Sequence, residues 1–245
     1  MTHLFSSCPH DNMHDPEKWV ALTQHVARAC SLDLGYERFS DFQLFEQNFN
    51  RFDLVYAHPL HASRLATRRN FVPLTKFDAT FDEAIIIAAK TVKSPQLADF
   101  ATRPVAYVDG TPSHAAYLIA AHRQRWPDIA VPVVKTNYPD VMMAVVQGEA
   151  SYGIILKSVW DGMTALKDRV TPFTITKTRE LVHVFLVSPR LRDQGATIAD
   201  ALVALGAHEE GQAILRRLGC PSIVPFSDVN LQELRASIAV CRFPE

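Results

Sequence analysis

Strand-like apolar runs alternate with helix-like runs along this chain, and the alternation starts twice. Thr2 to Ser7 reads as a strand, followed by the polar loop Cys8-Pro9-His10-Asp11-Asn12-Met13-His14-Asp15. Asp15 suits an N-cap and Pro16 a first helical position. Helical spacing of Trp19, Val20, Leu22, Val26 and Ala29 then predicts a helix over 17–30. A strand over 32–39 and a helix capped by Asp41 follow, the latter through Phe42, Leu44, Phe45 and Phe49. Asp53 to Ala57 is a short buried strand closed by His58-Pro59. A helix to about Thr67 and a strand around 71–74 complete a β-α-β-α-β order, the pattern of a largely parallel sheet.

The second round begins with the isoleucine-rich strand 83–89. Strands are predicted over 104–108, 131–135 and 151–156, with helices over 113–124, 139–147 and 158–165 between and after them. Gly148 stands where a helix C-terminus favours glycine. Val170 to Thr176 reads as extended and Leu181 to Val187 as a buried strand. Helices over 199–207, 209–218 and 231–240 end the chain, with Gly219 stopping the second of these. A repeated β-α pattern in 245 residues predicts two α/β lobes.

Composition removes several function classes. The formal net charge is −1, so no basic excess points to nucleic acid. No apolar run reaches the roughly 18 residues of a membrane span. The first residues carry no basic region and no apolar core of a secretory leader. The compartment expected is periplasmic if a leader has been removed, and cytoplasmic if the chain is complete as written. Cys8, Cys30, Cys220 and Cys241 form no CxxC pair and do not read as a disulfide framework. Nucleophile elbow, HExxH, P-loop and GxGxxG motifs are all missing, which predicts binding without catalysis.

Ligands of open α/β sheets sit beyond the carboxyl ends of strands. Those ends carry His10, Tyr56, His58, His61, Asp109, Ser113, His114, Tyr138 and Lys157. The helix start at Ser113 offers backbone N–H groups and a positive dipole end to an anion. Lys157 follows the strand Gly153-Ile154-Ile155-Leu156 and would favour a fully deprotonated anion. The ten histidines are unevenly spread: His10 and His14 follow the first strand, His58 and His61 the third, and His183 lies near the last strand. Imidazole donates hydrogen bonds to oxyanions and also ligates transition metals. The anion reading uses His10, Tyr56, His58, Ser113, His114, Tyr138 and Lys157 and needs no cofactor. The alternative is a transition-metal site from Cys8, His10, His58, His61 and His114, with Met13 as a further soft donor.

Five segments in order resemble one family. They are Pro16-Glu17-Lys18-Trp19-Val20-Ala21-Leu22, Phe52-Asp53-Leu54-Val55-Tyr56-Ala57-His58-Pro59, Val105 to Tyr117, Val145-Val146-Gln147-Gly148-Glu149-Ala150, and Gly219-Cys220-Pro221-Ser222-Ile223-Val224-Pro225-Phe226. The chain resembles the phosphate/phosphite/phosphonate-binding branch of type 2 periplasmic binding proteins, from about Phe5 to about Ser237. The resemblance implies two lobes, each a mixed sheet flanked by helices. Residues 1–87 with 183–245 would form one lobe and 88–182 the other, with crossing strands near 85–89 and 182–187. It implies a small anionic ligand resembling phosphate or phosphonate, and an ABC permease or a sensor kinase as partner. It also implies three hydroxyls at the Ser113 helix start, of which His114 replaces one and Ala115 loses another. An acid is implied where Lys157 stands, and a histidine where Tyr138 stands. Fold analogy also admits a cytoplasmic biosynthetic enzyme.

Overall fold

The computed structural model describes residues 2–12 and 15–241. The chain divides into two compact units, Met1–Thr80 with Val182–Arg235, and Phe81–Leu181 with Ala236–Glu245.

The first unit begins with β1 (His3–Ser7) and a 3-10 turn (Pro9–Asn12), followed by α1 (Glu17–Cys30) and β2 (Leu34–Tyr36). Next come α2 (Phe42–Gln47), β3 (Leu54–Ala57), α3 (Pro59–Arg68) and β4 (Val72–Phe77). Trp19, Leu22 and Val26 are buried on α1, as their spacing predicts, together with Thr23, while Val20 and Ala29 of the same predicted stripe are exposed. Asp41 caps α2 by accepting from Leu44 N at 2.8 Å. Asp15 caps α1 as predicted: its carboxylate takes a hydrogen bond from the Lys18 backbone, and Pro16 has helical dihedrals. The same carboxylate takes the Arg217 guanidinium at 2.8 and 3.1 Å.

The second unit holds β5 (Ala84–Ala89), β6 (Pro104–Val108), α4 (Pro112–Gln124), β7 (Val131–Lys135), α5 (Tyr138–Val146), β8 (Tyr152–Leu156), α6 (Lys157–Gly162) and β9 (Val170–Ile175). Its sheet has the order β7-β6-β8-β5-β9. β6 runs parallel to β7 and β8, while β5 runs antiparallel to β8 and β9. All six residues of β5 are buried, which explains its unbroken apolar sequence. Gly148 closes the turn after α5 at φ +79°, a conformation that suits glycine. The helix predicted from Ser113 starts one residue earlier, with Thr111 at the cap position and Pro112 as its first residue. Ser113 therefore lies inside the first turn.

The chain re-enters the first unit after Leu181. β10 (Val184–Val187), α7 (Gly195–Val203), α8 (Glu209–Leu218), β11 (Ile223–Pro225) and α9 (Asp228–Val240) follow. The residues of α9 from Ala236 onward belong to the second unit. The first sheet has the order β11-β4-β10-β3-β1-β2. β1 pairs in parallel with β2 and β3, and β10 inserts antiparallel between β3 and β4. Phe5, Trp19, Tyr56, Phe77 and Phe185 pack at its centre with Ile198, Leu202, Leu205 and Leu215 from the late helices and turn. β11 was not foreseen as a strand. It is three residues long and ends in Pro225, so it carries little strand pattern.

Gly211 sets the spacing within this late helical segment. A Cβ there would lie 1.9 Å from the Leu205 carbonyl oxygen, a backbone atom that cannot step aside. Gly211→Ala should lower stability by roughly 1–3 kcal/mol through overpacking. Gly206→Ala, whose nearest contact would be a side-chain methyl at 3.9 Å, should be close to neutral. Urea unfolding of the two variants checks this; equal midpoints would contradict it.

Candidate functional site

In the second unit, parallel β6 and β7 end side by side, with Val108 opposite Lys135. Their carboxyl ends release the chain into α4 and α5, so the starts of these helices meet. Ser113 Oγ lies 3.3 Å from Tyr138 Oη and 3.2 Å from Thr111 Oγ1. Thr111 Oγ1 also donates to the Val108 carbonyl at 2.7 Å, which holds the loop against the strand it leaves. All three hydroxyl residues are buried. Ala115 N bonds Thr111 O at 2.9 Å, closing the first helical turn. The backbone N–H groups of Ser113 and His114 precede that bond, at the positive end of the helix. His114 Nδ1 lies 3.0 Å from Asp109 Oδ1, and its ring packs 4.3 Å from the Tyr107 ring. Asp109 also accepts from Gly110 N at 2.9 Å.

In the first unit, the carboxyl ends of β1 and β3 and the amino end of β10 fall at one edge of the sheet. Cys8 N bonds Tyr56 O at 2.9 Å, and Val184 pairs with Ala57. Cys8, His58 and His183 are thereby neighbours, and all are buried. His58 caps α3, its Nδ1 accepting from His61 N at 3.5 Å, and the two rings lie 3.7 Å apart. His61 Nε2 pairs with Glu46 Oε1 of α2 at 2.6 Å. Cys8 Sγ lies 3.3 Å from His10 Nδ1. Asp11 Oδ2 is 3.7 Å from His10 Nε2 and 3.3 Å from His183 Nε2.

Burial alone would raise the Cys8 thiol. The charge on His10, with hydrogen bonds from His10, His183 and His61, outweighs burial and brings it down to about 5. Burial alone would lower His10, but the Cys8 thiolate and Asp11 raise it. Burial would raise Asp11, and His10 and His183 hold it well below the usual carboxylate range. Burial, reinforced by its charged neighbours, pushes His58 well below the usual imidazole range and keeps it neutral.

The structure thus sorts the sequence candidates into separate groups. Ser113 and Tyr138 meet; His114 is next to Ser113 in the chain but its ring turns to Asp109 and Tyr107. His10, His58 and His61 gather around Cys8. Tyr56 packs in the aromatic core, stacked 5.0 Å from His183. Lys157 opens α6 and its ammonium bonds Asp161 one turn later, at 2.5 Å to Oδ1. Metal-capable groupings among the described residues are Cys8 with His10, Asp11 and His183, and Cys8 with His58 and His61. His114 is in neither. Met13 and His14 lie outside the described residues.

Thr111 is not among the sequence candidates, yet its hydroxyl meets that of Ser113. The hydroxyls at this helix start are Thr111, Ser113 and Tyr138, not a run from Ser113 onward. Thr111-Pro112 was the available signal, since Thr before Pro is a common cap followed by a first helical residue. Glu46 was missed because nothing in sequence pairs α2 with α3.

A model of the family described as "ABC transporter, phosphonate, periplasmic substrate-binding protein" matches residues 9–231. The chain belongs to this family. No sequence match was found among curated proteins. Solved structures with the same fold include PhnD1 of Prochlorococcus marinus in complex with methylphosphonate, at 12% identity and TM-score 0.77 over 96% of each chain. They also include XAC2383 of Xanthomonas citri bound to chloride, at 15% identity and TM-score 0.76 over 98% of each chain. A binding-protein component of an ABC phosphonate transporter from Pseudomonas aeruginosa matches at 12% identity and TM-score 0.78, covering 98% of this chain and 86% of that one. The fold is that of type 2 periplasmic binding proteins: α/β, with two mixed sheets flanked by helices. No helix among the described residues is long and apolar enough to cross a membrane.

Two opposed effects act on His114 in this family member. Burial lowers its pKa, and the Asp109 charge and hydrogen bond only partly restore it. In an NMR titration His114 should have a midpoint below the ~6.5 of a free imidazole. Asp109→Asn should move that midpoint further down. Because the unfolded chain takes up this proton first, the contribution of His114 to stability is complete above about pH 6.5 and declines as pH falls below it. A midpoint that rises in Asp109→Asn would contradict the assignment.

Proposed function

We propose that this chain is a solute receptor for a small oxyanion of the phosphate or phosphonate class. It would deliver that anion to an ABC permease or report it to a sensor partner. The observation that carries the reading is the meeting of Thr111, Ser113 and Tyr138 hydroxyls at the start of α4, in a member of the phosphonate-binding family. Hydroxyls and helix-start N–H groups donate to oxygen without adding charge, so they suit an anion that must later be released. The complex of PhnD1 with methylphosphonate supports the ligand class. The likeness to the periplasmic VFT2 domain of BvgS from Bordetella pertussis supports the sensor alternative, at TM-score 0.61 and 12% identity over 89% of this chain and 93% of that one.

Lys157 is left out of this site because Asp161 already neutralises its ammonium. The site then relies on neutral donors. The formal net charge of −1 agrees, since long-range attraction is not what would select the ligand.

Thermal shift with phosphate, methylphosphonate and sulfate tests the proposal. A ligand at a hundred times its dissociation constant should add about 2.7 kcal/mol. In a chain of this size that is a rise of roughly 5–10 °C. Ser113→Ala and Tyr138→Phe should each weaken binding by roughly 10- to 100-fold, the loss of one hydrogen bond to a charged group. No stabilisation by any of the three anions would overturn the reading.

A further inference from the structure

The strongest chemistry left unused by the oxyanion reading is the buried group around Cys8. One donor atom each from Cys8, His58 and His61 lies within 4.8 Å of the others. Nε2 of His58 is buried without a hydrogen-bond partner, and Nδ1 of His61 is buried with none beyond the Cys8 sulfur. Buried polar atoms are normally satisfied, and two such ring nitrogens beside one sulfur require an explanation. The opposite nitrogen of each ring is already engaged: His58 Nδ1 with His61 N, and His61 Nε2 with Glu46. The Glu46 bond leaves the electron pair of His61 on Nδ1, while His58 would ligate through Nε2 in the tautomer that carries its proton on Nδ1, giving up the 3.5 Å cap contact.

We propose that Cys8 Sγ, His58 Nε2 and His61 Nδ1 form a transition-metal site, with zinc as the ion it suits. One sulfur and two imidazoles are a borderline-soft donor set, the kind that zinc and copper take. Donor atoms around one zinc ion sit roughly 3.5 Å apart, so these side chains need only draw in slightly. Glu46 orients His61 from outside, as carboxylates do behind metal-bound histidines. Three protein donors leave a fourth position, and His10 Nδ1 lies 3.3 Å from the same sulfur. This site lies wholly in the first unit and does not depend on the oxyanion reading.

Cobalt titration of the chelator-stripped full chain tests the proposal. Cobalt should bind at one equivalent, give a thiolate-to-metal charge-transfer band, and be displaced by zinc. Cys8→Ser should abolish the band, whereas Cys30→Ser should keep it. His58→Gln should weaken zinc binding by at least tenfold. Glu46→Gln should weaken it about 10- to 100-fold while leaving the spectrum unchanged in form. Should Cys8→Ser fail to fold, zinc X-ray absorption on the unaltered protein decides, with one sulfur and at least two imidazole nitrogens expected. Absence of a charge-transfer band in the wild type, its persistence in Cys8→Ser, or a zinc shell without sulfur would overturn the proposal.

Discussion

β10 runs against β3, and the chemistry of the first unit follows from that reversal. Because Val184 pairs with Ala57, the residue before β10 stands level with the residue after β3. His183 and His58 therefore share a sheet edge, and Cys8 joins them through its bond to Tyr56 O. A parallel strand in the same place would have put His183 at the far end. Asp53 fixes the other end of this arrangement. Its carboxylate accepts from Leu4 N at 3.1 Å, Ser188 Oγ at 3.2 Å and Arg190 Nε at 2.5 Å, tying β1, β3 and the end of β10 together.

The second unit reaches a different chemistry from a similar plan. Its converging strands, β6 and β7, are parallel neighbours, and both lead into helices. What meets there is a pair of helix starts, and the side chains at that point are hydroxyls. Hydroxyls can satisfy one another when no ligand is bound, which Thr111, Ser113 and Tyr138 do. The buried imidazoles of the first unit cannot do so as fully. Several of their ring nitrogens, among them His58 Nε2 and His10 Nε2, are buried without a hydrogen-bond partner.

Much of the fold could be read from the sequence because its signals are local. The apolar stripe of α1, the Asp41 cap, the isoleucine run of β5 and the Gly148 stop each depend on residues a few positions apart. The candidate residues were legible one at a time for the same reason, as polar residues at strand ends. Their grouping was not. Whether His114 belongs with the other histidines depends on which sheet β6 joins, and whether Lys157 is available depends on Asp161 reaching back one turn. Thr111 was hidden by an offset in the start of α4, which moved the cap away from Ser113.

The central claim is that an oxyanion is taken at the hydroxyl-lined start of α4. A crystal structure of the protein with methylphosphonate tests it most directly. The account predicts phosphonate oxygens within hydrogen-bond reach of Ser113 Oγ and of the first backbone N–H groups of α4. Density for the ligand only among Cys8, His58 and His61, with the Ser113–Tyr138 contact undisturbed and empty of ligand, would contradict it.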